Sequence, residues 1–129
     1  MINIERSIDV EDEVRKILKD HLTVYCRPLP AQYSLPNILV TQVGGSDTNK
    51  VDTFEIVLDA RASCEAAALE YLRNAVGVLR AVAGSDGTPI RHVSVNSSGS
   101  WGTDPVRDDL ALCSARLEVV AHLENTTIT

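Results

Sequence analysis

The chain has 129 residues, 44% apolar and 23% charged, the composition of one folded domain rather than of a disordered segment. Eighteen acidic residues against twelve basic ones leave a net charge of -6, which argues against a dedicated nucleic-acid binder, because phosphate contacts need clustered Lys and Arg. No stretch reaches the ~20 apolar residues that span a bilayer, and Met1 to Arg6 lack the basic and apolar regions of a signal peptide.

Residues 8–21 are predicted helical. Val10, Val14, Ile17, Leu18 and Leu22 recur on one face, with Asp9, Glu11, Asp12 and Glu13 in the first turns and Lys16, Lys19 and His21 later, as the helix dipole favours. Residues 23–27 are a short strand candidate, and Pro28, Pro30 and Pro36 make 28–36 a loop. Residues 37–43 and 51–60 read as a hairpin whose connection, 44–50, opens on Gly44-Gly45. In its second strand Phe54, Ile56, Leu58 and Ala60 alternate with Thr53, Glu55 and Asp59, so one face is buried and the other polar.

Ser63 is placed to cap a second helix reaching about Ala83, with Leu69, Leu72, Val76, Leu79 and Ala83 as its stripe and Gly84 to end it. A turn at 85–89, a strand at 90–96 and a long loop at 97–109 follow. The last strand alternates Ala111, Cys113, Ala115, Leu117, Val119 and Ala121 with Ser114, Arg116, Glu118 and His122, and 124–129 is a polar tail. The order α-β-β-β-α-β-β predicts a single α+β domain over 1–129, a mainly antiparallel sheet with two helices packed on one face. The free face is polar and mixed in sign, suited to water or to a copy of itself.

Few aromatics (4%) leave a core of Val, Leu, Ile and Ala. Only Lys16, Lys19 and Lys50 of the twelve basic residues are lysines, a bias that fits either interface use of arginine or genomic base composition. Cys26, Cys64 and Cys113 are widely spaced and without a CxxC pair, as expected of reduced thiols inside a cell.

Catalytic motifs are not found. The run from Gly44 to Lys50 lacks the second glycine of a phosphate loop and leads into a strand. Gly99-Ser100-Trp101-Gly102 misses the spacing of a nucleophile elbow, and His21, His92 and His122 form no metal-binding pair. Asp104, Asp108 and Asp109 are the best carboxylate cluster but lack calcium-loop spacing. No catalytic, cofactor or metal residue is therefore assigned. Trp101 has two open roles, as an interface anchor or as a cap on the end of the core.

One family is similar in arrangement. An acidic first helix is followed by a Pro-rich loop ending in Leu35-Pro36, then Ile38-Leu39-Val40 closing on Gly44-Gly45. Asp52 opens a strand ending Leu58-Asp59-Ala60-Arg61, Glu65-Ala66 starts an Ala-rich helix, and Asp104-Pro105 precedes a final strand with Arg116. In this order the chain resembles the tail terminator (tail completion) proteins of long-tailed, siphovirus-like bacteriophages over nearly its whole length. Leu58-Asp59 departs from the aromatic that relatives often carry there.

The resemblance implies a fold related to phage tail-tube proteins and a non-enzymatic structural role. Such proteins form a homo-oligomeric ring, typically a hexamer, on the head-proximal end of the tail tube. They stop tube polymerisation and present the surface that joins the head-tail connector. The partners implied are further copies, the major tail-tube protein and the connector, with DNA only as cargo passing through the lumen and no membrane. The location implied is the virion tail, and the host cytoplasm during assembly. Gly44, Gly45, Asp47, Lys50, Trp101, Asp104, Asp108, Arg116 and Glu118 are the expected interface residues, with Arg116 and Glu118 meeting charges of a neighbour or lining the ring. Alternatives are another head-tail joining or tail-tube-related component, or a small-molecule-binding α+β domain.

Overall fold

The computed structural model describes residues 1–47 and 51–129. Its elements are β1 (Ile2–Arg6), α1 (Val10–Leu18), β2 (Val24–Cys26), β3 (Asn37–Asp47), β4 (Val51–Ala62), α2 (Glu65–Val82), β5 (Ile90–Thr103), β6 (Ala111–His122) and β7 (Glu124–Ile128). Between the two end strands the order is α-β-β-β-α-β-β, an α+β fold with a mostly antiparallel sheet.

Local chemistry explains the helices. Asp9 caps α1, its side chain accepting the Asp12 N–H at 3.2 Å, and Val10, Val14 and Leu18 fall four apart on one wholly buried stripe. The N-cap of α2 is Cys64 rather than the expected Ser63, and it gives no side-chain hydrogen bond. At the other end Gly84 takes φ +86°, the left-handed conformation that stops a helix, and its N–H donates to the Ile90 carbonyl at 2.9 Å. The buried stripe of α2 is Ala68, Leu72, Ala75 and Leu79, and Leu69, expected inside, is exposed. The small Ala68 and Ala75 allow close approach to the sheet, so packing distance overrides the larger hydrophobicity of Leu69.

Five strands form the main sheet in the order β2-β3-β4-β6-β5. Only β2 runs parallel to its neighbour; β3, β4, β6 and β5 pair antiparallel. Both helices lie on the face to which Phe54, Ile56, Leu58 and Ala60 of β4 and Cys113, Ala115, Leu117 and Val119 of β6 point, and together these residues make the core. No helix of the described residues is long and apolar enough to cross a membrane.

Three further expectations are corrected. The connection expected at 44–50 begins as strand, since β3 runs on to Asp47; residues 48–50 lie outside the described residues. The loop expected at 97–109 begins as strand: β5 continues to Thr103 despite Gly99, Trp101 and Gly102, because register shifts at 90/92, 95/97 and 98/100 absorb the irregular residues. The polar tail expected at 124–129 contains β7, paired antiparallel with β1 from Ile2↔Ile128 to Arg6↔Glu124. This ribbon is held by backbone hydrogen bonds and by exposed contacts such as Arg6–Glu124 at 2.7 Å, so it needs no apolar alternation.

Candidate functional site

The residues expected at an interface fall in three places. On the open face of the sheet, Arg116 lies beside Val57, and Glu118 lies directly opposite Glu55. Two like charges face each other there, and Arg116 reaches along the ladder so that its Nη1 donates to Glu55 Oε1 at 2.7 Å. Asp59 and Ser114 form a second cross-strand hydrogen bond. Arg116 thus already has a partner within its own subunit, although its side chain remains 55% exposed.

A second group gathers at the end of the sheet where β4 stops. Asp104 is buried, and its Oδ2 accepts from Arg61 Nε at 2.6 Å, while Oδ1 accepts the N–H groups of Val106 and Arg107 at 2.9 and 3.0 Å. Burial raises the affinity of this carboxyl for protons, but the Arg107 N–H, the Arg61 guanidinium and the Val106 N–H outweigh it and hold the pKa below its ordinary value. Asp104 is thereby spent inside the subunit. It folds the 104–110 turn onto the end of β4, and sequence spacing gave no sign of the pairing, since 43 residues separate the partners. Two polar atoms here, Arg61 Nη1 and the Oδ1 of Asn37 across the β3–β4 ladder, have no hydrogen-bond partner among the described residues.

Asp109 pairs with Arg107 at 2.9 Å, which holds its carboxyl below the ordinary value, and Asp108 is exposed. The three aspartates of this turn do not converge, and no group of three or more His, Cys, Asp or Glu among the described residues could hold a metal ion. Trp101 stands in β5 rather than in a loop. It lines a shallow hollow with Cys64 and Glu65 at the start of α2 and with Asp108 and Asp109, and it is 48% exposed. Leu35 and Val106 are exposed at the same end.

The third place is the opposite end, around Gly44 and Gly45. A register shift between Gln42 and Gly44 marks a bulge in β3, after which Gly45 lies so close to β4 that a Cβ there would stand 2.7 Å from the Thr53 carbonyl oxygen. A cavity of about 440 Å³ opens beside this stretch, lined by Ser7, Ile8, Gln42, Gly44, Gly45 and Asp52 among others. Asp52 is only 2% exposed, and neither of its carboxylate oxygens has a hydrogen-bond partner among the described residues. No basic residue is among the described lining residues.

Asp52 was missing from the expected interface set, yet the sequence carried its signal. It occupies the inward phase of the alternation Asp52, Phe54, Ile56, Leu58 and Ala60. Asp47 is its register partner on β3, and Lys50 lies outside the described residues. Nearby, Glu11 accepts the Gln42 N–H at 3.0 Å and Arg27 Nη2 at 2.6 Å. Burial raises the Glu11 carboxyl, but these contacts prevail and set its pKa below the ordinary value. Comparison with protein-family models yields no match, and comparison with curated protein sequences yields none either.

Proposed function

We propose that the chain is a structural subunit of a phage tail, of the tail terminator kind, acting as a ring on the head-proximal end of the tail tube. The observation that carries this reading is the free face of the main sheet. Both helices lie on one side, and Glu55, Arg116 and His122 on the other remain half-buried or exposed. A subunit with one covered and one open face, and with edges at β5 and along 41–47 of β3 that no strand of the described residues pairs, has surface left for neighbours on several sides.

Ring closure needs two different patches per subunit, each meeting the other patch of the next copy. With one end of the ring docked on the tube, further tube subunits lose their binding surface, and the opposite end becomes the joining surface for the head connector. The net charge of -6 suits a ring through which DNA slides, because it offers phosphates little to bind.

Deleting the gene from the phage and viewing lysates by electron microscopy tests the reading. Over-long or headless tails are expected, and normal virions would overturn it. A neighbouring gene for a major tail protein, just downstream, is the expected genomic context.

A further inference from the structure

We infer that the Asp52 cavity is a receptor for a guanidinium, that of Arg80 from a second copy of this chain. The starting point is an unfinished piece of chemistry. A carboxylate out of water and without hydrogen bonds costs several times what a paired one does, and Asp52 is in that state, with both oxygens unpartnered among the described residues. The cavity beside it is roomy enough for an arginine side chain, and the described residues that line it bring no positive charge. A planar cation with several donors matches a carboxylate whose two buried oxygens both lack a hydrogen bond among the described residues.

The chain carries the complementary patch on its other edge. A groove of about 540 Å³ between α2 and β5 is lined by Arg80, Arg91 and His92, with no acidic residue among its lining. Arg91 is occupied, its guanidinium donating to the carbonyls of Gly84, Ser85 and Thr88. Arg80 is exposed, with no hydrogen bond or ion pair among the described residues. Lys19 is equally unpaired, but it stands at the end of α1 rather than on the β5 edge.

The two patches also lie at one height. Asp52 pairs across the sheet with Ala121, which pairs with Ile90, and Phe54 pairs with Val119, which pairs with Val93. The acidic cavity on the β3 side and the basic groove on the β5 side therefore share the same level along the strands. Rotation about an axis parallel to the strands keeps that level, so it brings the β5 edge of one subunit against the β3 edge of the next. That contact is heterologous, as a ring requires. The pairing rests on the ring reading and names its contact.

Sedimentation equilibrium of the full chain, taken up to about millimolar concentration at low and high salt, tests the pairing. The wild type is expected to self-associate, and Arg80→Glu and Asp52→Asn are each expected to weaken association about thirtyfold or more. The double variant is expected to be no weaker than the singles, since both remove one contact. Unchanged association in Arg80→Glu, additive losses, or a wild type that stays monomeric throughout would overturn the pairing. Loss of association in Lys50→Met with retention in Arg80→Glu would assign the cavity to another basic group and overturn it as well. Failure here leaves the micrographs of the gene deletion untouched, so the contact and the ring reading fail separately.

Discussion

Asp104 and Asp52 are both buried carboxylates, at opposite ends of one sheet, and their surroundings differ in kind. Asp104 has a guanidinium and two backbone N–H groups, all from its own chain. Asp52 has none of these among the described residues. One end of the subunit is closed by its own turn, so its buried charge contributes to the fold. The other end holds a charge that the isolated subunit leaves uncompensated, and such a charge weakens the fold unless something from outside meets it. The contrast separates two uses of the same residue type: an acid that shapes a turn and an acid held for a contact.

Removing Arg61 gives the largest expected effect. Arg61→Met leaves Asp104 a buried charge without its counter-ion, held only by the two backbone N–H groups, and is expected to cost about 3 kcal/mol, read as a lower urea midpoint at unchanged slope. A loss under 1 kcal/mol would mean that water reaches this end and that the two ends are alike.

Acid sharpens the same contrast. Asp104 and Glu11 have folded pKa values below their ordinary ones, so the unfolded chain binds protons more readily, and their stabilisation is present above the ordinary carboxylate range. It is lost as pH falls through the lowered folded values. Thermal melting followed from pH 6 downward should therefore show falling stability below about pH 4. Asp104→Asn should flatten that fall, whereas stability that held constant into strong acid would contradict the assignment.

Asp52→Asn is expected to act with the opposite sign. Replacing an unpartnered buried carboxylate by a neutral amide of the same shape should raise the stability of the free subunit by about 1 kcal/mol, a rise of a few degrees in melting temperature. Destabilisation instead would show that Asp52 has a partner within its own chain.

Arg116→Ala gives the smallest change. The Arg116–Glu55 pair is exposed on both sides, and pairs of this kind contribute about 0–1 kcal/mol, less at high salt. Calorimetry should find a shift near its error. Charge reversal, Arg116→Glu, should weaken the assembled ring most at low salt, and an unchanged assembly would remove Arg116 from the interface.

The parts of this architecture that were legible in the sequence follow from local rules. Gly84 marks the end of α2 by its backbone freedom, and the alternation in β4 and β6 shows which side chains turn inward, whereas Asp9, expected inside the first helix, is its N-cap. Where two rules competed, the reading slipped. Gly99 and Gly102 signal a loop, but β5 keeps its ladder to β6 by shifting register around them. Glu124–Ile128 has no apolar period, and it is a strand only because the other end of the chain supplies a partner more than a hundred residues away. At the candidate site, Gly44-Gly45 signals a turn, but both glycines stand inside β3, paired with Glu55 and Phe54, whereas the inward phase of Asp52 is readable from period two alone. The Arg61–Asp104 pair could not be found this way, because no local pattern links β4 to the turn after β5.

The most direct measurement of the central claim is the length distribution of tails, by electron microscopy, in a lysate lacking this gene, before and after the purified chain is added. Long or headless tails without the protein, and heads joined to tails once it is supplied, are the predicted result. Virions of normal length and complete assembly in the lysate without the protein would contradict it.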